Sequence, residues 1–375
     1  ADPFFVASLT HGAWFPVRED VASADPEGWT LTADTYIGNG PFTMVEWNTG
    51  QYIDFVPNEY YYDRDRVNLD RLRFVFITEA TTSLAALRTG DIHVTELLPA
   101  AEIPAILEQG WGVVTPLIAT YYYSINLGED ADAEVRDALW DVRVRKALNL
   151  AIDRVAITED ILKGGQIPAY GFAPEGIIGP DGEDFRKSER YFSPQGDVEE
   201  ARRLMAEAGF PDGEGFPVYE IFYNTSEMHA SVAQAVQEMW RENLGITVEL
   251  VNKETRVFAE ERAAGKFQIT RSGNLRASTH PDILGLFTRD QLDSTNDPKW
   301  INDEYIDLIR EAERGTDPAE IFATYHEAED ILMDEMPVIP VFYYTRILAK
   351  RPEVSGLYKP ANAVVYFDRA DIDVE

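Results

Sequence analysis

Thr120-Tyr121-Tyr122-Tyr123-Ser124-Ile125-Asn126, followed after an acidic loop by Asp141-Val142-Arg143-Val144-Arg145-Lys146-Ala147-Leu148-Asn149-Leu150-Ala151-Ile152-Asp153-Arg154, decides how this chain folds. The first run is aromatic and reads as a strand. In the second, Val144, Ala147, Leu148 and Ala151 recur at helical spacing behind Asp141, which has the side chain of an N-cap. The same kind of strand returns as Val338-Ile339-Pro340-Val341-Phe342-Tyr343-Tyr344-Thr345. Two such strands around a large middle segment suit a chain that leaves one lobe, builds a second and comes back, so they read as two crossings of a hinge. Ordinary core strands of one sheet would share this composition, and spacing alone fits both. The expected division is residues 1–122 as part of a first lobe, 123–342 as the second, and 343–375 as the return.

With 375 residues, 45% of them hydrophobic, the chain can bury the core of two or more lobes. No apolar run is long enough to span a bilayer. The absence of cysteine removes disulfides, thiol nucleophiles and thiolate metal sites together. The chain begins at Ala1 without Met or signal peptide and is expected to be a mature or trimmed product. Against 33 basic residues stand 66 acidic ones, a formal net charge of -33 spread along the chain. Such a surface repels nucleic acid and anionic lipid, so neither is expected as a partner. A solvated surface suited to a salty habitat and a cation-binding surface both fit it.

Along the chain, Ala1 to Trp29 is irregular and rich in aromatics, as if packed on something else. Phe42 to Val56 reads as a β-hairpin turning at Asn48-Thr49-Gly50. Leu72, Phe74 and Phe76 alternate with Arg73, Val75 and Ile77 in a strand expected to be partly buried on both faces. Ser83 to Thr89 reads as a helix closed by Gly90, Asp91 to Val94 as a strand, and Ile103 to Gln109 as a helix ending at Gly110. This half is α/β. Asp160 to Pro194, rich in Gly, Pro and charge, reads as a long surface excursion. Asp197 and Ser226 each have the place of a cap before a helix, the second carrying Val232, Val236, Met239 and Trp240 to a stop at Gly245. Strands are expected at Tyr219–Tyr223, around Ile246 to Leu250, and at Phe267–Arg271, with a helix over about Arg256 to Ala264. Asp303 to Glu313 is helical, and Asp317-Pro318-Ala319-Glu320 starts another helix running to about Met336.

Chemical motifs are missing. There is no GxGxxG turn, no phosphate loop, no GxSxG elbow and no HExxH pair. His11, His93, His229, His280 and His326 never fall at ligand spacing, and no metal or cofactor is expected. Gly179-Pro180-Asp181-Gly182-Glu183-Asp184 lacks the alternating ligands of a calcium loop. Asn224-Thr225-Ser226 matches a glycosylation acceptor, a triplet frequent by chance. A set of polar residues at helix starts and strand ends does stand out: His229, Arg262, and Arg271 followed by Ser272-Gly273-Asn274-Leu275-Arg276. In α/β lobes ligands collect at strand ends, and three arginines with a histidine converging there would favour an anionic group. Surface arginines that neutralise an acidic protein would look the same one by one.

Gly40-Pro41-Phe42, Asn58-Glu59-Tyr60-Tyr61, Arg88-Thr89-Gly90-Asp91-Ile92, the triple-tyrosine strand, the Asp141 helix, Ala206-Glu207-Ala208-Gly209-Phe210 and Tyr223-Asn224-Thr225-Ser226 together resemble the dipeptide- and oligopeptide-binding proteins of ABC importers, in the family's order. The resemblance implies a two-lobe periplasmic-binding-protein fold of type II, the large peptide-binding class, closing on a ligand by a hinge, with no enzymatic activity and no cofactor. It implies a peptide or peptide-like ligand, an ABC permease as partner, and a periplasmic or extracellular, membrane-tethered location. It covers the later part of the family's chain. The first strands and small extra domain are therefore expected to be missing ahead of Ala1, with a separate N-terminal fragment of the same protein as a further partner.

Peptide binders of this family carry a loop resembling Arg-x-Gly-Trp-x-x-Asp, whose aspartate pairs with the peptide's α-amino group. Arg271 and Gly273 match it, but Asn274 replaces the tryptophan and Ala277 the aspartate, while Arg276 adds a positive charge. The ligand is accordingly expected to be acidic or amino-blocked. His229, Arg262 and Arg271 match family positions near the ligand's carboxylate end, and Tyr123 and Tyr343 lie by the hinge. The rival classes are a peptide-binding, chaperone-like protein and, behind it, a hydrolase. The latter needs a convergent acid and base or a nucleophile, and the sequence shows none.

Overall fold

A computed structural model of the chain describes residues 5, 9, 14–128, 133–187, 190–275, 281–358 and 364–373. The chain divides into two compact units, one built from Ala1–Ser8 and Pro116–Thr345, the other from Leu9–Thr115 and Arg346–Glu375.

In the second of these, β1 (Phe42–Asn48), β2 (Tyr52–Pro57) and β3 (Leu72–Val75) form an antiparallel three-stranded sheet. Asp54 is fully buried on one face, where Arg73 Nε donates to it at 2.6 Å and Arg71 also pairs with it. These two guanidinium groups hold its carboxyl down at about 2, against the cost of burial. The strand at Leu72 is an edge, and Phe74, Val75 and Phe76 are exposed rather than partly buried on both faces. Burial there depends on a neighbouring layer, which alternation within a strand does not reveal. Helix α1 (Ala80–Thr89) starts three residues before the expected Ser83 and ends on Gly90 at φ 86°, the left-handed cap. The strand expected at Asp91 is reduced to β4 (Val94–Thr95). From α1 and α2 (Ile103–Glu108), Leu84, Leu87 and Ile106 pack with Ala349.

The first unit is organised by β5 (Gly112–Ile125), the strand that carries the three tyrosines, with residues from Pro116 onward inside this unit. Helices α3 (Ala133–Trp140) and α4 (Val142–Leu150) follow, and Asp141 caps α4 by accepting from the Arg143 amide at 2.9 Å. After the short β6 (Ile167–Pro168) come α5 (Val198–Glu207), β7 (Tyr219–Asn224), α6 (Glu227–Leu244), β8 (Val248–Lys253), α7 (Thr255–Ala263) and β9 (Ile269–Leu275). Helices α8 (Asp303–Arg314) and α9 (Pro318–Glu335) lead into β10 (Val338–Lys350), the second aromatic strand. Beside β10 lie β5, β9, β7 and β8 in that order, with β7 parallel to both β8 and β9, β5 antiparallel to β9, and β6 paired to β10 on the side.

Strand alternation sorts the core into two layers. Tyr121, Tyr123 and Ile125 point to the side packed by Val144, Leu148, Val236 and Trp240 from α4 and α6, where Trp240 Nε1 also donates to the Leu148 carbonyl at 2.8 Å. Tyr122 points the other way, to Phe172, Phe287, Tyr305 and Leu332 on the side of α8 and α9. The stretch Asp160 to Pro194 is irregular but is only in part a surface excursion. Its Phe172, Ala173, Ile177, Phe185 and Phe192 are buried in that second layer. One of its charges is buried too: Arg186 pairs with Glu329 of α9, both side chains fully enclosed, and Glu329 Oε1 accepts from the amides of Phe172 and Ala173 at 2.8 and 2.9 Å. Composition identified the irregular backbone correctly but missed the burial of its aromatic residues and of Arg186, whose partner lies 143 residues away.

Candidate functional site

Arg271 lies in β9 opposite Tyr123, and so on the α6 side of the sheet. The strand runs on to Leu275, so Gly273 and Asn274 are strand residues rather than the loop expected after a strand end at 271. The alternating pattern there is broken by Gly and Asn, both poor strand formers, which hid the continuation. Arg271 Nη1 donates to Asn224 Oδ1 and Nη2 to the Tyr344 hydroxyl, both at 3.3 Å, and its guanidinium carbon stands 5.6 Å from the Tyr121 ring centroid. These partners are all neutral. Among the described residues no carboxylate pairs with this half-buried arginine, in a chain with twice as many acids as bases.

His229 comes to the same place from the first turn of α6. It is 5% exposed, its ring centroid is 5.6 Å from that of Tyr121, and its Nδ1 is buried without a partner. Burial and then the Arg271 charge push its pKa down to about 3, so the imidazole is neutral at ordinary pH. The hydroxyls of Tyr121 and Tyr123 are likewise buried without partners, and burial raises both phenols. Among the described residues this cluster holds a cation, a neutral imidazole and phenols.

Arg262 is not part of that cluster. Its Nε donates to Asp297 Oδ1 at 2.9 Å, and Asp297 also accepts from Ser272 Oγ at 2.7 Å. Ser272 faces the way of Tyr122, so this ion pair sits on the opposite side of the sheet from Arg271. Tyr343 also faces away from Tyr344: it is buried, its hydroxyl donating to the Gly171 carbonyl at 3.1 Å and accepting from the Tyr170 amide at 3.3 Å. Asn274 is opposite Thr120 in the ladder and half-buried. Arg276 and Ala277 lie outside the described residues. Sequence reasoning passed over Tyr344, Tyr121 and Asn224. The available signal was strand parity: in Phe342-Tyr343-Tyr344 only one of the two tyrosines can share a face with Phe342, and in Tyr121-Tyr122-Tyr123 the outer two go together. No group of three His, Asp or Glu side chains among the described residues could hold a metal ion.

A cationic fork beside neutral donors suits the holding of an anion. The chain belongs to the family described as "Bacterial extracellular solute-binding proteins, family 5 Middle", which it matches over residues 2–291. It is 31% identical to the oligopeptide-binding protein OppA of Bacillus subtilis, over 98% of this chain and 67% of that one. It is 29% identical to the dipeptide-binding protein DppE of the same organism, over 97% of this chain and 65% of that one. Among solved structures it superposes on OppA of Haemophilus influenzae in complex with RPPGFSPFR with a TM-score of 0.77, at 28% identity, covering 99% of this chain and 71% of that one. The chain thus spans about two thirds of the length of the curated relatives it matches. Those relatives are binding proteins and not enzymes, which bears out the resemblance read from the sequence, the type II two-lobe fold included. Among the described residues no helix is long and apolar enough to cross a membrane.

Proposed function

We propose that this chain belongs to the solute-binding receptor of an ABC importer, acting outside the cytoplasm, where it captures a peptide or peptide-like ligand by an acidic group and delivers it to a membrane permease. The observation that carries this reading is Arg271, a half-buried cation whose partners among the described residues, Asn224 and Tyr344, are neutral. A partly desolvated guanidinium without a counter-charge attracts a carboxylate or similar anion, and its planar fork favours a two-oxygen group. The two crossings between the units, at residues 115–116 within β5 and 345–346 within β10, are proposed as the hinge about which the receptor closes.

The ligand's amino end is proposed to be blocked, or replaced by a second acid, because Ala277 stands where peptide binders of the family place the amine's partner. Two measurements test this. Native mass spectrometry of the purified protein, repeated under denaturing conditions, should release a single small acidic solute. Release of mixed polypeptides would instead favour a chaperone-like protein. In the second, Ala277→Asp should shift preference toward peptides with a free α-amino group, and an unchanged preference would sink the amine argument.

A further inference from the structure

We infer that Gly273 is a positioning residue of the anion site, its missing side chain letting the Tyr344 hydroxyl reach Arg271 and serve as a second donor to the ligand's acid. This rests on the reading of Arg271 as the ligand's anchor. Glycine inside a strand costs roughly 0.5–1 kcal/mol relative to alanine, and it commonly marks a place where another group must come close. Backbone conformation is not the reason here, since Gly273 is outside the left-handed region. Space is the reason: a Cβ on Gly273 would stand 3.0 Å from the Tyr344 hydroxyl oxygen and 3.3 Å from its Cε2.

Tyr344 reaches this point from β10, with β5 between it and β9. Its ring lies beside Tyr121, 5.9 Å between centroids, and Tyr121 is the ladder partner of Gly273. Arg271 Nη2 donates to the Tyr344 oxygen at 3.3 Å. A phenol that accepts from a guanidinium keeps its own proton for another acceptor. Burial raises the Tyr344 phenol, Arg271 offsetting part of this, so that proton is retained. Tyr344 and Arg271 both keep some exposed surface, unlike Tyr121 and Tyr123, which are fully buried. A ligand oxygen at the guanidinium then meets the Tyr344 O–H beside it.

The test measures binding of acetyl-trialanine and of its C-terminal amide by calorimetry, so that preference for the acid is the readout. Gly273→Ala displaces the hydroxyl and Tyr344→Phe removes it; each should lower the acid-over-amide ratio about tenfold. The double variant removes the oxygen that the new methyl group meets most closely, and it should be no worse than Tyr344→Phe alone. Multiplied losses in the double variant, or equal weakening of acid and amide, would overturn the inference and leave Gly273 a packing residue. Arg271→Met separates the two levels. If it abolishes the preference while Gly273→Ala leaves it intact, only this inference fails. If wild type shows no preference and Arg271→Met changes nothing, the anchor reading fails and the inference with it. Melting temperatures of all variants separate misfolding from lost selectivity.

Discussion

A buried ion pair and a buried neutral histidine show how single residues are held in this chain, and they lead to opposite expectations. Arg186 and Glu329 are enclosed together, and Arg186 Nε also donates to the Ala173 carbonyl at 3.0 Å. Removing one partner leaves the other charge buried and unpaired, so Glu329→Ala should destabilise the protein by about 3–5 kcal/mol in urea unfolding. Arg186→Met combined with Glu329→Leu should recover most of that loss, and a double variant as unstable as the single one would contradict the account. His229 is buried uncharged instead. Its pKa is depressed from 6.5 to about 3, so the neutral form is the one the fold accommodates. The stability it contributes is fully present above pH 6.5 and is lost as the pH falls toward 3, where the unfolded chain gains a proton that the folded one refuses. His229→Leu should therefore flatten the stability curve between pH 6.5 and 3, and superimposable curves would show that the imidazole does not titrate with unfolding.

Helices were the most legible elements, and their caps show why. Asp317 accepts from the amides of Ala319 and Glu320 at 2.9 and 3.2 Å, with Pro318 at the first helical position, as its spacing implied. Ser226 occupies the corresponding place before α6, yet its side chain makes no capping bond. Asp317→Ala is thus expected to cost about 1 kcal/mol and Ser226→Ala only a small fraction of that, measured by thermal unfolding. Equal costs would mean that position, not the bond, sets the energy. Cap residues and apolar stripes act within a few positions, which makes them readable from sequence: Val144, Ala147, Leu148 and Ala151 are all buried. The irregular segment at 160–194 and the edge strand at Leu72 were misjudged for the opposite reason, since burial of Phe172 or exposure of Phe74 is fixed by elements far along the chain. The site divides the same way. The sequence groups His229, Arg262 and Arg271 alike, and that Arg262 faces away from the other two follows from strand parity and from Asp297, which sequence spacing does not rank.

At the scale of the whole molecule, 66 acidic residues against 33 basic ones place like charges over the surface, and their mutual repulsion favours expansion. Salt screens such repulsion, with a Debye length shrinking from about 10 Å at about 0.1 M to about 2–3 Å above 1 M. The melting temperature should rise by several degrees between about 0.1 and about 2 M potassium chloride, and a melting temperature that falls over this range would show that specific ion pairs dominate instead. The same negative field makes Arg271, which has no carboxylate partner among the described residues, more telling: an acidic ligand approaches against the net charge and needs a local cation to be held. The most direct measurement is calorimetric titration of acetyl-trialanine and its C-terminal amide into wild type and Arg271→Met. The account predicts acid bound at least about tenfold more tightly than amide by wild type, with that preference gone in the variant. Acid and amide bound alike by both proteins would contradict it.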